Sequence, residues 1–335
     1  MDKETPDITL ANVTIPKWVA GISFAFFAVV LLTACSNREV PKKVSLQARS
    51  PVTEEREMVL KRDKATAPPL KFGFDHRLSP KDDARIYLSF LQHLSQQTGH
   101  KFSLKFTEKY EDTADNLGRG LIQFAALGPV NCVAAKTKYG VGCLAMGLNQ
   151  NNKPEYRAVI FVRHDSPLNN LEDLRSKTFA FGDRFSTQGH VIPRKILEDA
   201  GITLDDLQSY VFTGSHANTA KAVLSGAYEA GAIQDTLADR LNREGQIKIL
   251  ATSKPYPSSL ICYAKGVDPA TLTAVKKALL EMDPTGAHRN LLVNWDRTEM
   301  PSGFVAYQTN SLRDIEKLAG RYLNLPSSPA RNSQP

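Results

Sequence analysis

The chain is 335 residues long and carries 42 Lys and Arg against 35 Asp and Glu, a formal net charge of +7. The excess is spread along the chain with no basic cluster interleaved with aromatics, which argues against a nucleic-acid partner. Its four cysteines lack the paired short spacing and nearby His that a zinc site needs, so neither a metal nor a cofactor is expected.

The N-terminal segment places Asp2, Glu4 and Asp7 beside Lys3 and Lys17, runs uncharged from Trp18 to Ala34, and ends in Leu32-Thr33-Ala34-Cys35. Small residues before a Cys suit a signal peptidase, and the Cys thiol is the one group there able to accept a diacylglyceryl thioether. Residues 1–34 therefore read as a lipoprotein signal peptide, and Cys35 as the lipidated residue that ties the chain to a membrane of the cell envelope, facing the periplasm or the exterior. The apolar run is nearly long enough to span a bilayer, so a retained anchor is the alternative. Cleavage removes two Lys and three acidic residues, leaving 40 basic against 32 acidic and a net +8. From Ser36 to about Pro69 the chain is rich in Lys, Arg, Glu, Pro and Ser without apolar periodicity, which makes 35–69 a flexible tether. In an oxidising envelope Cys132 and Cys143 can pair; buried free thiols, Cys262 among them, are the other reading.

Beyond the tether, short apolar strands alternate with amphipathic helices, the pattern of an α/β protein. Strands are predicted at 70–74, 102–106, 122–127, 156–162, 178–181, 209–212, 230–233, 248–251 and 260–263. Helices are predicted at 80–97, 111–119, 130–139, 189–200, 217–225, 236–242, 269–281 and 311–322, with a disordered tail at 324–335. About 255 folded residues suffice for two lobes with separate cores. Ligands of such folds sit beyond the carboxyl ends of strands. Four loops occupy that position: Phe74 to Arg77, Leu127 to Asn131, Phe185 to Gly189, and Thr213 to His216.

The stretch from Asp183 to Gly201 is the most informative. A strand ending at Phe181 runs through Ser186-Thr187-Gln188-Gly189 into an amphipathic helix, with Pro193 marking or kinking its first turns. The first turn of a helix has N–H groups without intrahelical partners and about half a positive charge, so it favours a tetrahedral oxyanion. Ser186, Thr187 and Gln188 can cradle such a group and Gly189 lets the backbone approach closely. The plainer reading is an ordinary N-cap. His216 follows a second strand in the same geometry and offers a ring N–H beside another helix start, or else is a solvent-exposed cap.

Ser-Thr-Gln-Gly with Pro193, Ser215-His216 leading to Ala222-Val223 and Gly226, Glu229-Ala230-Gly231-Ala232, Leu127-Gly128-Pro129 and Tyr156 together resemble the periplasmic phosphate-, phosphite- and phosphonate-binding proteins of ABC transporters. The resemblance runs from about Lys71 to Tyr307. It implies a two-lobed type II periplasmic binding protein with a ligand cleft between lobes, here 70–158 plus 255–323 and 159–254, hinged near 157–159 and 252–255. It also implies a small anionic ligand, a permease as partner, a monomer, and an anion clamp of Ser186, Thr187, Gln188 and His216 with Gly189 permitting the turn. Tyr156 matches an aromatic position near the hinge, and Asp235 lies where an acid can meet a ligand's substituent. Tyr87 is a further candidate, although its helical spacing with Phe90, Leu91 and Leu94 also suits a core residue.

The chain departs from the family pattern at Ile122-Gln123, at Gln188, and at His76 and Arg77; Arg77 is expected as a solvated surface residue. No Gly-x-Ser-x-Gly elbow, His-Glu-x-x-His or Walker loop is present, so no enzyme is expected. A sensor module that reports a related small anion to a signalling partner is the competing function.

Overall fold

The computed structural model describes residues 67–107 and 109–325. The expected signal peptide, Cys35, nearly all of the tether and residues 326–335 lie outside them. No helix among the described residues is long and apolar enough to cross a membrane.

The described chain begins with β1 (Leu70–Phe74), α1 (Pro80–Thr98), β2 (Phe102–Leu104), α2 (Tyr110–Gly118), β3 (Phe124–Leu127), α3 (Pro129–Tyr139) and β4 (Gly142–Gly147). The short β5 (Glu155–Tyr156) leads into β6 (Ala158–Arg163), β7 (Thr178–Phe181), α4 (Ile192–Asp199), β8 (Ser209–Phe212), α5 (His216–Leu224), β9 (Ala230–Gln234), α6 (Asp235–Arg243) and β10 (Ile247–Thr252). The chain returns through β11 (Tyr256–Pro257) to β12 (Leu260–Tyr263), α7 (Pro269–Leu280), β13 (Phe304–Ala306) and α8 (Arg313–Leu323).

These strands form two mixed sheets, β13-β4-β12-β3-β1-β2 and β10-β6-β9-β7-β8, while β5 and β11 pair only with each other. The alternation of side chains along a strand gives each sheet two buried faces. In the first, Phe72, Phe74, Phe124 and Ala126 join one cluster with α1 and α7, and Ala125, Leu127 and Cys262 join the other with α3 and α8. In the second sheet, Ile160, Val162, Phe179 and Phe181 face one way and Val159, Phe161, Ala180 and Ile233 the other. Each fully buried Phe contributes about 1.5–3 kcal/mol.

The predicted strand at 156–162 divides at Arg157, because Tyr156 pairs with Tyr256 while Ala158 pairs with Gln234 in the second sheet. The returning chain runs alongside: Ser253 N–H donates to the Ala158 carbonyl at 2.9 Å and Arg157 Nη1 to the Ser253 carbonyl at 2.7 Å. Two crossings thus lie side by side. β4, β11 and β13 were not expected. The β4 sequence Gly-Cys-Leu-Ala-Met-Gly has no β-branched residue, so its strand character comes from its partners β12 and β13.

Helix ends follow local chemistry. Ser79 caps α1 by accepting the Asp82 N–H at 3.2 Å, Pro80 occupies its first turn, and Gly99 closes it at φ 71°. Cys132, Cys143 and Cys262 are free thiols, Cys143 only partly buried.

Candidate functional site

The loop after β7 is the first part of the site. Ser186 caps the following helix, its Oγ accepting the Gly189 N–H at 2.9 Å. Residues Thr187–Val191 then make one turn of π-helix before regular α4 begins at Ile192, so the helix expected from Gly189 starts three residues later. Such wide turns leave backbone groups off the regular ladder and recur at binding sites. Gly189 packs on the end of β7: a Cβ there would lie 3.0 Å from Gly182 Cα and 2.9 Å from Ser186 Oγ, and its carbonyl accepts the Gly182 N–H at 2.8 Å. The glycine serves close approach of two backbones.

β8 runs parallel beside β7, so the loop after it lies next door, with Gly214 N–H donating to the Gly182 carbonyl at 3.3 Å. Ser215 caps α5 by accepting the Asn218 N–H at 3.1 Å. His216 follows, buried rather than solvent-exposed, and its Nδ1 has no hydrogen-bond partner among the described residues. Burial, with the nearby Arg77 charge, pushes its pKa down to about 3, so the ring is neutral at neutral pH.

The loop after β1 supplies the charges. Arg77 is only 6% exposed, which overturns the expectation of a solvated surface residue. Its Nε lies 2.8 Å from Glu299, its Nη1 donates to the Asp75 carbonyl at 2.8 Å, and its Nη2 donates to Ser259 Oγ at 2.8 Å. Ser259 Oγ also donates to Glu299. A buried cation needs such partners, and Glu299 lies too far along the chain for spacing to suggest it. The Arg77 charge acts on Tyr87, Tyr110, Tyr156 and His216. Asp75 is buried too, its carboxylate accepting the Gly128 N–H and the Asn131 Nδ2, both at 2.7 Å. Burial pushes its pKa up to about 7 even though Arg77 opposes the shift. Asp75, Asn131 and Glu299 went unassigned in the sequence; Asp75 and Asn131 stand in two of the loops singled out there, and only Glu299 left no local signal.

Contacts between the first-sheet and second-sheet loops close the site. Val130 N–H, in the first turn of α3, donates to Thr187 Oγ1 at 2.9 Å. Ala217 N–H donates to the Arg77 carbonyl at 3.2 Å, and Tyr110 N–H reaches the Asp183 carboxylate at 3.5 Å. Tyr156 is buried and its hydroxyl interacts with Thr187. Gln188 turns elsewhere: its Nε2 donates to the Arg157 carbonyl at 2.9 Å and approaches Asp235 at 3.4 Å. Asp235 accepts the Arg157 N–H at 2.7 Å and the Thr236 N–H at 2.9 Å, so its carboxylate fastens α6 to the crossing; burial pushes its pKa up to about 6. Tyr87 stacks on Phe74 with ring centroids 4.3 Å apart, as a core residue does, while its hydroxyl feels Arg77. The structure therefore brings Thr187 to Tyr156 and Val130, sets Tyr156 and His216 within reach of the Arg77 charge, and groups Gln188 with Asp235 at the crossing.

Two α/β sheets joined by paired crossings, with strand-end loops facing each other, define a type II periplasmic binding protein. Residues 72–310 match the model of the family described as ABC transporter, phosphonate, periplasmic substrate-binding protein, and the chain belongs to that family. Among curated relatives, the phosphonates-binding periplasmic protein of Escherichia coli K12 is 24% identical over 212 residues, 60% of this chain and 62% of that one. The phosphate-import protein PhnD of Mycolicibacterium smegmatis is 24% identical over 207 residues, 57% and 64% of the two chains. The chain thus spans somewhat under two thirds of the length of these relatives. PhnD1 of Prochlorococcus marinus, solved with methylphosphonate, shares the fold at a TM-score of 0.69 and 20% identity, covering 77% of this chain and 98% of that one. The family is periplasmic, which places the chain outside the cytoplasm.

Proposed function

We propose that the chain is a non-catalytic solute-binding lipoprotein, lipidated at Cys35 after loss of residues 1–34, that captures a phosphorus oxyanion or small phosphonate for the permease of an ABC transporter. It works as a monomer whose lobes, 70–158 plus 255–323 and 159–254, close about the crossings at Arg157 and at 253–255. The names of the curated relatives, one for phosphonates and one for phosphate, support this ligand class.

The observation that carries the reading is that the start of α3 and the turn at Thr187 meet, Val130 N–H on Thr187 Oγ1 at 2.9 Å, while the α5 start carrying His216 is tied to the Arg77 loop through the Ala217 N–H. Their N–H groups supply oriented partial positive charge without a mobile counter-ion. An oxyanion entering between the lobes takes over the Val130 N–H that Thr187 Oγ1 now holds and gains the Thr187, Ser186 and Tyr156 hydroxyls and a ring N–H of His216. Backbone N–H groups around Gly189 complete the cradle, with Gln188, Asp235 and Tyr87 bounding the wall for a substituent. Arg77, neutralised by Glu299, stabilises the bound charge from behind. The wrong anion leaves a buried donor unpaired, at about 1–3 kcal/mol per group.

Titration calorimetry of the purified chain against phosphate, phosphite, methylphosphonate and 2-aminoethylphosphonate tests the proposal. At least one should bind well below millimolar; if none binds more tightly than about 1 mM, the ligand class is wrong.

A further inference from the structure

Three cysteines meet in the core of the first sheet. Cys132 lies near the start of α3, Cys143 on β4 and Cys262 on β12. Cys143 and Cys262 face each other across the antiparallel β4–β12 pair, and α3 lays Cys132 beside them. The sulfur separations are 3.1 Å for Cys132–Cys143, 3.3 Å for Cys143–Cys262 and 3.2 Å for Cys262–Cys132. The residues stand 11, 119 and 130 apart in the chain, which is why linear spacing hid the set and no metal site was expected.

Non-bonded heavy atoms rest about 3.5–4.0 Å apart, so all three contacts are short for apolar packing. They are also nearly equal, whereas a disulfide would single out one pair. We propose that Cys132, Cys143 and Cys262 form a three-thiolate site for one soft, thiophilic cation of the Cu(I) class. Three sulfurs without a fourth ligand suit such an ion better than zinc, whose structural sites take four; among the described residues no His, Asp or Glu joins the cluster. A cation about 2.3 Å from each sulfur fits just above this triangle, or in its plane once each sulfur swings out by about 0.4 Å. Each S–H bond breaks as a metal–sulfur bond forms, the proton leaves to solvent, and no atom changes oxidation state. The complex carries excess negative charge, which Lys136 offsets: it lies one turn along α3 from Cys132 with its ammonium 3.5 Å from the Tyr307 hydroxyl. The partly exposed Cys143 is the way in.

The test is anaerobic titration of the reduced full-length protein with Cu(I) against a competing Cu(I) chelator, with thiol alkylation mapped by mass spectrometry before and after. One equivalent should bind, protecting all three cysteines from alkylation, and Cys143→Ser should weaken binding at least tenfold while phosphonate affinity is unchanged. Because Cys262→Ala in the core can disturb folding, the alkylation map of the unsubstituted protein stands as the second readout. Failure of the reduced protein to take up Cu(I), uptake with Cys132, Cys143 and Cys262 still fully alkylated, or a chain that loses two hydrogens, keeps one thiol and ignores Cu(I) would each overturn the site, the last in favour of a disulfide.

Discussion

The two sides of the candidate site are built differently. The first-sheet side buries the Arg77–Glu299 ion pair and, beside it, the Asp75 carboxyl held by the Gly128 N–H and the Asn131 amide. The second-sheet side presents neutral groups, the Ser186 and Thr187 hydroxyls and the uncharged His216, at two helix starts. A site built from neutral donors alone, as the sequence suggested, is therefore half of the arrangement. In the proposed binding mode the charged half is a fixed background and the neutral half makes the contacts to the ligand.

That division is broken most forcefully by removing one of the buried charges. Glu299→Ala leaves the Arg77 guanidinium in the interior without its carboxylate, and stability should fall by about 3–5 kcal/mol. Urea unfolding of the two proteins measures it. A loss below about 1 kcal/mol would mean that Arg77 reaches water and that the charged half is not a sealed network. The reverse substitution, Arg77→Met together with Glu299→Met, should cost less than the single change, since it leaves no unpaired charge.

The charged half also sets a pH dependence. Asp75 has a folded pKa of about 7 against 3.8 unfolded, so between these values the folded chain keeps a proton that the unfolded chain has lost. Its contribution is present in full below about pH 4 and is lost as pH rises through 7. His216 acts oppositely: with its pKa lowered to about 3, stability on its account is present above the unfolded value and falls as pH drops. Replacing Asp75 by Asn removes one of these opposing slopes. Between about pH 4.5 and 6.5, Asp75→Asn stability should climb relative to the parent by up to about 1.4 kcal/mol per pH unit. Parallel stability curves for the two proteins would show that Asp75 is solvated and titrates normally.

How legible these halves are in the sequence follows from their construction. Ser186, Thr187, Gly189 and Ser215-His216 are contiguous, and the chemistry of helix starts points to them without any knowledge of distant residues. The sheets and most helices were legible for the same reason, as local runs with a period. Arg77 was misread because its partner Glu299 comes from a loop before β13, 222 positions away, and nothing near Arg77 announces burial. For Asp235, only the pairing of Ala158 with Gln234 shows that it sits against Arg157. β4 was invisible because its strand character is conferred by two neighbours.

The neutral half is sharpened by side-chain truncation. Thr187→Ala removes the hydroxyl that faces Val130 and Tyr156, and should weaken phosphorus-ligand binding by about 1–3 kcal/mol. His216→Ala should cost at least as much. Because its ring is neutral, the loss should stay constant between about pH 6 and 8, where an imidazolium would make it grow as pH falls. Calorimetry at both ends of that range decides between the two, and unchanged affinity in both variants would remove these residues from the site.

The smallest expected effect concerns the residue that belongs to neither half. Asp235 holds the crossing through the Arg157 and Thr236 N–H groups and receives the Gln188 amide, so an ammonium arriving on a ligand meets a carboxylate that is already hydrogen-bonded. Its burial raises its pKa to about 6, which leaves it mostly ionised at neutral pH. Asp235→Asn keeps one carbonyl oxygen for the Arg157 N–H and gives up the one that accepts from Thr236, which should cost about 1–3 kcal/mol in folding. It should leave phosphate and phosphite affinity unchanged within error while weakening 2-aminoethylphosphonate by a few-fold, about 0.5–1 kcal/mol, less than a lone ion pair gives when neither group is otherwise engaged. Equal changes for all four ligands would instead mean that Asp235 acts only through the crossing, by altering how readily the lobes close.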